Sequence, residues 1–189
     1  MKNKQFETLL TSVYELGVYR ANIIYIKGIS LDSSFRDMCV SNVCGMYGKC
    51  WMCPPDVGDI DKLMNEVNQY DYALVYQTVT EIEDSFDFEG MIEAKKRTYP
   101  TAQKLRKIFS DMHISKALHL GAGGCGVCDV CAKRNDEPCR HPALALPSLE
   151  AYGINVSKLA SAADMKYING QNTVTYFGAV LFIVDGEEI

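Results

Sequence analysis

The fold class of this 189-residue chain is decided by the stretch Tyr72-Ala-Leu-Val-Tyr-Gln-Thr-Val-Thr80. The stretch begins with a continuous apolar run and is rich in β-branched and aromatic residues, which is the composition of a buried strand. A helix with Asp59 as its N-cap is predicted before it, and a long helix is predicted after it at residues 86–112. A strand between two helices indicates an α/β fold.

The same alternation extends to both ends of the chain. The other predicted strands are residues 22–29, 117–120 and 173–184. The other predicted helices are residues 5–16, a short turn at 149–152, and residues 156–165. Pro100 is expected to kink or split the long helix, and Gly178 to mark a bulge or a close backbone approach in the last strand. We therefore predict one domain over residues 1–189, an α/β sandwich with a small mixed sheet and two cysteine-rich metal loops.

The charge and hydropathy of the chain limit the class of protein. The formal net charge is −5 at pH 7, which argues against a nucleic-acid backbone or an anionic membrane as the main partner. The first residues lack the apolar run of a signal peptide, and the longest apolar run, residues 179–184, is too short to cross a bilayer. These features predict a soluble, cytoplasmic protein.

The eight cysteines fall into two groups, each within fifteen positions. The first group is Cys39, Cys44, Cys50 and Cys53, and the second is Cys125, Cys128, Cys131 and Cys139. A disulfide scaffold joins distant segments where the core is too small, whereas these cysteines are bunched in loops of a chain long enough to bury a core. The grouping favours two metal sites in which all eight cysteines are candidate ligands.

The spacing of the second group favours a [4Fe–4S] cluster. Three cysteines at intervals of three residues, Cys125, Cys128 and Cys131, can each bind a different iron of one cubane, as in bacterial ferredoxins. Cys139 follows after a gap of seven residues, so it either returns to the same cluster or serves the other one. Zinc is the alternative, although structural zinc sites usually pair two short Cys-x2-Cys turns across a wider gap.

The spacing of the first group, Cys39-x4-Cys44-x5-Cys50-x2-Cys53, distinguishes iron–sulfur from zinc less well. Pro54 and Pro55 close this loop, because proline continues neither a helix nor a central strand. Trp51 either shields a cluster from water, which affects its reduction potential, or belongs to the core. His141, two residues after Cys139, is either a further ligand or hydrogen-bond donor to a cluster or an ordinary surface histidine.

Four motifs together resemble a family of predicted metal-binding proteins of unknown function. They are Cys44-Gly-x-Tyr-Gly-Lys-x-Trp-x-Cys-Pro-Pro55, Gly124-Cys-x2-Cys-x2-Cys131, Cys139-Arg-His-Pro142 and Pro147-Ser-Leu-Glu-Ala-x-Gly-Ile154. The resemblance covers roughly residues 20–185. It implies a cysteine-bound metal centre of the iron–sulfur type in bacteria and archaea with anaerobic habits, and it implies no particular reaction. In the family's pattern the position of Cys50 is often Ser or Asn; if Cys50 is not a ligand, one iron of the first cluster is open.

Three hypotheses about function are compatible with these sites. The first is a small electron-transfer protein or redox partner with two [4Fe–4S] clusters, because two sets of four thiolates occur without a nucleotide, flavin or catalytic-triad motif. The second is an enzyme whose open-site cluster, held by Cys39, Cys44 and Cys53, binds a small-molecule substrate at iron. The third is a binding module stabilised by structural zinc.

Overall fold

The stretch at residues 72–80 forms a central strand of the sheet in the computed structural model, which describes residues 2–114 and 116–184. The strands are β1 (Arg20–Tyr25), β2 (Tyr72–Glu81), β3 (Ala117–Leu120) and β4 (Thr173–Phe182). The α-helices of the described residues are α1 (Lys2–Tyr14), α2 (Phe35–Val40), α3 (Ile60–Val67), α4 (Phe88–Asp111) and α5 (Val156–Ala162). The spatial order of the strands is β1-β2-β4-β3, which places the two longest at the centre.

The α/β fold class is confirmed, but the sheet is antiparallel and not mixed. The β1–β2, β2–β4 and β3–β4 pairs are each antiparallel. The error has a physical cause in the connections, each of which contains at least one helix and a long loop. A connection of that length can return to either end of a sheet, so the residues of a strand do not fix its direction.

Alternate residues of β2 enter two separate cores on opposite faces of the sheet. Ala73 and Val75 belong to the core that includes α3 and α5. Leu74 and Tyr76 belong to the core that includes α1 and α4. Burial on both faces explains why the first half of β2 is apolar without alternation, and it confirms the predicted sandwich of a sheet between helices.

The helix ends follow their local sequence signals. Gly17 lies just after α1 with φ +80°, a conformation that glycine adopts without strain. The Asp59 side chain accepts a hydrogen bond from Lys62 N–H at 3.2 Å and so caps α3 as predicted. Helix α4 continues through Pro100, so the predicted split does not occur. None of the helices in the described part of the chain is long and apolar enough to cross a membrane.

The glycine in β4 marks a close approach between two central strands. Gly178 is paired with Tyr76, and the register of β2 and β4 runs from Tyr72 to Glu81 without interruption. A Cβ atom at position 178 would overlap the ring of Tyr76. The predicted close approach is therefore confirmed, and the alternative of a bulge is excluded.

Candidate metal centre

Both cysteine loops are attached to one irregular segment, residues 147–155. The N–H of Gly121 donates to Pro147 O at 2.9 Å, which fixes the second loop directly after β3. The N–H of Asp32 donates to Gly153 O at 2.7 Å, which fixes the start of the first loop. The segment therefore holds the two loops beside each other, although they lie more than seventy positions apart in sequence.

The segment folds this way because of two local features. The Ser148 hydroxyl accepts a hydrogen bond from Ala151 N–H at 3.0 Å and so caps the predicted short turn, which is a 3-10 helix at Glu150–Tyr152. Gly153 ends that turn with φ +71°. A side chain at this position would also come within 2.8 Å of Met64, so the site needs glycine for space as well as for conformation.

Five thiols line one narrow cavity between the loops. They belong to Cys50, Cys125, Cys128, Cys131 and Cys139. The cavity volume is about 20 Å³, which is room for about one water molecule. The structure thus keeps Cys139 with its own group and adds Cys50, which is only 1% exposed, from the other.

Cys50 is the point at which the two cysteine groups meet. The pKa of Cys50 responds to hydrogen bonding with the thiols of Cys53 and Cys131. The bond from Cys53 has the largest effect and, with the backbone amides of Met52 and Cys125, lowers the pKa of Cys50 to about 6 against the opposing effect of burial. The pKa of Cys53 is raised because its thiol donates that bond and because it is buried. Cys50 thus interacts electrostatically with thiols of both groups.

The other three cysteines form the opposite side of the centre. The charges of Cys44 and Cys39 add to the rise in the pKa of Cys53. Burial raises the pKa of Cys39, and Cys44 and Glu150 raise it further while Arg36 opposes them. The three thiols thus influence one another electrostatically, and Glu150 acts on Cys39. In sequence the cysteines divide four and four, whereas in the structure they divide three and five.

A partly buried lysine joins the two loops and was not identified from the sequence. Lys133 Nζ lies 2.9 Å from Asp56 Oδ1, and the side chains of both residues are less than a fifth exposed. The same ammonium group lies 4.4 Å from the ring centroid of Trp51. The Trp51 indole N–H also donates to Glu137 O at 2.9 Å. These contacts fix Trp51 in the wall of the cavity. This position is compatible with the predicted role of Trp51 in shielding a cluster from water.

Helix α4 supports the second loop through Tyr99. A Cβ atom at position 126 would overlap the Tyr99 ring, so the backbone of Gly126 packs directly against it. The Tyr99 hydroxyl donates to Gly124 O at 3.4 Å, and burial raises the pKa of Tyr99 to about 12. The glycine after Cys125 is thus explained by contact with a helix, a reason that the spacing of the cysteines does not reveal.

The remaining polar candidates divide between the cavity and the rest of the fold. His141 and Arg140 line the five-cysteine cavity, and Arg140 Nη2 donates to Val130 O at 3.0 Å. Within residues 2–114 and 116–184, no three His, Cys, Asp or Glu side chains converge as they would around a single ion. The thiolates of a cubane bind four separate irons, so they do not need to point at one atom.

A family model described as predicted metal-binding protein (DUF2284) matches residues 22–182. The chain belongs to this family. No curated protein and no solved structure matches the chain. Membership confirms the resemblance carried by the cysteine motifs and supports metal binding as the general function.

The chemistry of the donor set fits an iron–sulfur centre. Thiolates are soft ligands that suit zinc and iron–sulfur clusters, and carboxylate groups suit harder ions. All eight cysteines are free thiols, and every one of them lies on one of the two sides described above. The space between the five thiols is smaller than a four-iron cluster, so binding one requires the two loops to separate around it. The eight free thiols nevertheless have the type and number of ligands that two [4Fe–4S] clusters need.

Proposed function

We propose that this protein holds two [4Fe–4S] clusters side by side and functions in electron transfer. The proposal is supported above all by the position of Cys50, a member of the first group that lines one cavity with all four cysteines of the second. Cys125, Cys128, Cys131 and Cys139 would hold one cluster, and the first group would hold the other. When bound, such clusters supply one-electron oxidation and reduction.

The protein side chains would provide a short path between the two sites. Cys50 of the first ligand set lines the same cavity as the four cysteines of the second set, so the two sets are adjacent. Cys50 is buried and Trp51 is held over the same cavity. Exclusion of water and hydrogen bonds to sulfur both tune the reduction potential of a cluster.

The first group also reaches the protein surface, where a redox partner could dock. Cys44 is exposed, and its neighbour Val43 is 93% exposed. Met38 and Val40 on the short helix α2 are exposed as well. Electron-transfer complexes use small interfaces of this kind, so a redox protein that docks at α2 would approach the first cluster.

Reduction of the protein under exclusion of air tests this proposal. Titration with dithionite should reduce each cluster by one electron, and EPR of the reduced protein should show two paramagnetic centres broadened by their mutual interaction. Oxidised cytochrome c added afterwards should take up the same electrons. Two reduced centres without mutual broadening would contradict the side-by-side arrangement, and failure to accept any electron would contradict electron transfer.

One observation favours a second candidate, an enzyme with an open-site cluster. Cys50 lines the cavity of the second group, which leaves Cys39, Cys44 and Cys53 outside it, with Glu150 acting on Cys39. A three-thiolate site leaves one metal position for a substrate. The variant Cys50→Ser separates the two proposals: loss of iron and of one EPR signal supports the carrier, whereas full iron content and an unchanged spectrum support the enzyme. Cys139→Ser is the matched control and should lose iron in both cases.

A further inference from the structure

A second cavity lies between α4, the loop that follows β3, and strand β4. Its volume is about 380 Å³, which is within the range of about 300–1,000 Å³ for small-molecule sites. Its charged groups are Lys95 and Glu150, and its apolar wall includes Tyr167 and Phe177, whose rings stack at 6.0 Å with an angle of 16°. The cavity is therefore built of one cation, one acid and an aromatic wall.

The loop after β3 forms part of the wall of this cavity. Ala122 and Gly123 line it, and Gly123 has φ +64°. A left-handed residue turns successive N–H groups towards one side, which creates a concave site for an anion. Among the residues that the structure describes, neither of these two N–H groups donates to a backbone acceptor.

Lys95 supplies the positive charge at the same place. A Cβ atom on Gly123 would lie 2.7 Å from Lys95 Nζ, so the ammonium group rests against the loop. Among the residues described, no acidic side chain lies within 4.0 Å of Lys95. Its neighbour Lys96 differs, because it pairs with Glu93 at 2.6 Å on the exposed face of α4. One of two adjacent lysines is thus available for a ligand.

Glu150 limits the charge that the ligand can carry. It lies in the same cavity, and Lys95 acts on it electrostatically. Burial raises the pKa of Glu150 while Lys95 opposes that rise, so further negative charge in the cavity is unfavourable beyond the single charge that Lys95 can match. The stacked rings favour a flat apolar body on the remaining side.

We propose that this cavity binds a small aromatic carboxylic acid, with its carboxylate against Lys95 and the amides of Ala122 and Gly123 and its ring against Tyr167. None of the groups that line this cavity is a cysteine. Glu150 nevertheless interacts with Cys39 as well, so a ligand bound here would lie next to the three-cysteine side.

Binding of benzoate to the full-length protein tests the proposal, with calorimetry as the measurement. We expect saturable binding at one site, with or without iron in the protein. The variant Lys95→Met should weaken binding about tenfold or more, because a charged hydrogen-bond donor is lost. The matched control Lys96→Met should bind as the wild type does. Tyr167→Ala should weaken the binding of benzoate and leave that of acetate unchanged.

Three results would overturn the assignment. They are the absence of saturable benzoate binding, tighter binding of inorganic phosphate than of benzoate, and equal weakening by Lys95→Met and Lys96→Met. Thermal melting shows whether each variant is folded. If Lys95→Met does not fold, Lys95→Gln provides the same comparison, since it also removes the charge and keeps a long side chain.

Discussion

Lys133 Nζ lies 2.9 Å from Asp56 Oδ1 and so connects the segment after the second cysteine run to the segment after the first. Neither the lysine nor the aspartate stands out in the sequence, and 76 positions separate them. The pair closes the metal centre on the side of Trp51, whose ring lies beneath the same ammonium group. Coupling of the two loops is thus a property of the tertiary structure.

Removing this lysine should loosen the contact between the loops. In Lys133→Met, Asp56 loses its partner while Asp56 Oδ2 is already buried without a hydrogen bond, and a buried charge without a partner is unfavourable. We expect a lower melting temperature and a red-shifted emission of Trp51, which is the chain's single tryptophan. Lys107→Met is the control, because Lys107 and Asp111 form an exposed pair that contributes little. Equal shifts in the two variants would show that the contact has no special role.

Gly126 should tolerate no side chain as long as Tyr99 is present. An alanine at position 126 would overlap the Tyr99 ring, and such overpacking typically costs about 1–3 kcal/mol. We expect Gly126→Ala to lower the free energy of unfolding by that amount and to reduce the iron bound per chain. In the double variant Gly126→Ala/Tyr99→Ala the added methyl group has space, so the two effects should not be additive. Strict additivity would contradict the contact.

The contact between Gly178 and Tyr76 makes a similar prediction for the sheet. Gly178→Ala places a methyl group into the buried Tyr76 ring, so urea denaturation should show a loss of about 1–3 kcal/mol in the free energy of unfolding. At Gly28 a Cβ atom would meet nothing within 4 Å, so Gly28→Ala should stay within about 0.5 kcal/mol of the wild type. If Gly178→Ala leaves the free energy of unfolding unchanged, the two central strands are farther apart than described.

His119 should make the fold sensitive to mild acid. Burial, with a smaller effect from Arg106, lowers the pKa of His119 from 6.5 to about 3. The folded state holds the neutral imidazole, so its contribution to stability is complete above pH 6.5 and is lost as the pH falls from 6.5 towards 3. As the pH falls through this range, the free energy of unfolding of the wild type should decrease by up to about 1.4 kcal/mol per pH unit relative to that of His119→Leu.

Urea denaturation at pH 7, 6 and 5 measures this difference. The variant His119→Leu serves as the reference for the wild type, because the two proteins share all other titrating groups. Parallel dependence of the two proteins on pH would show that His119 does not titrate in the unfolding transition.

The elements of this fold were predictable wherever a local cause determines them. The apolar run of β2 specifies a strand buried on both faces, and the side chain of Asp59 caps the helix next to it. Strand direction was not predictable, because it depends on where long connections return. The attachment of both loops to residues 147–155 was also not predictable from the sequence, because it depends on backbone hydrogen bonds that any residue type can form.

The candidate site was likewise predictable from the sequence only in part. Spacing alone predicted the eight thiols as a metal-binding set, because ligands of one centre must lie close together. Spacing did not indicate that Cys50 lies with the second group, since that position results from packing between two loops far apart in sequence. The roles of Lys133 and Tyr99 are likewise tertiary contacts.

The central claim is that these eight thiols bind two four-iron clusters. The most direct measurement is the iron and acid-labile sulfide content of protein purified without exposure to air. The account predicts about eight iron and about eight sulfide per chain, as two [4Fe–4S] clusters require, with a brown protein and an EPR signal on reduction. A colourless protein that contains stoichiometric zinc and no acid-labile sulfide would contradict it.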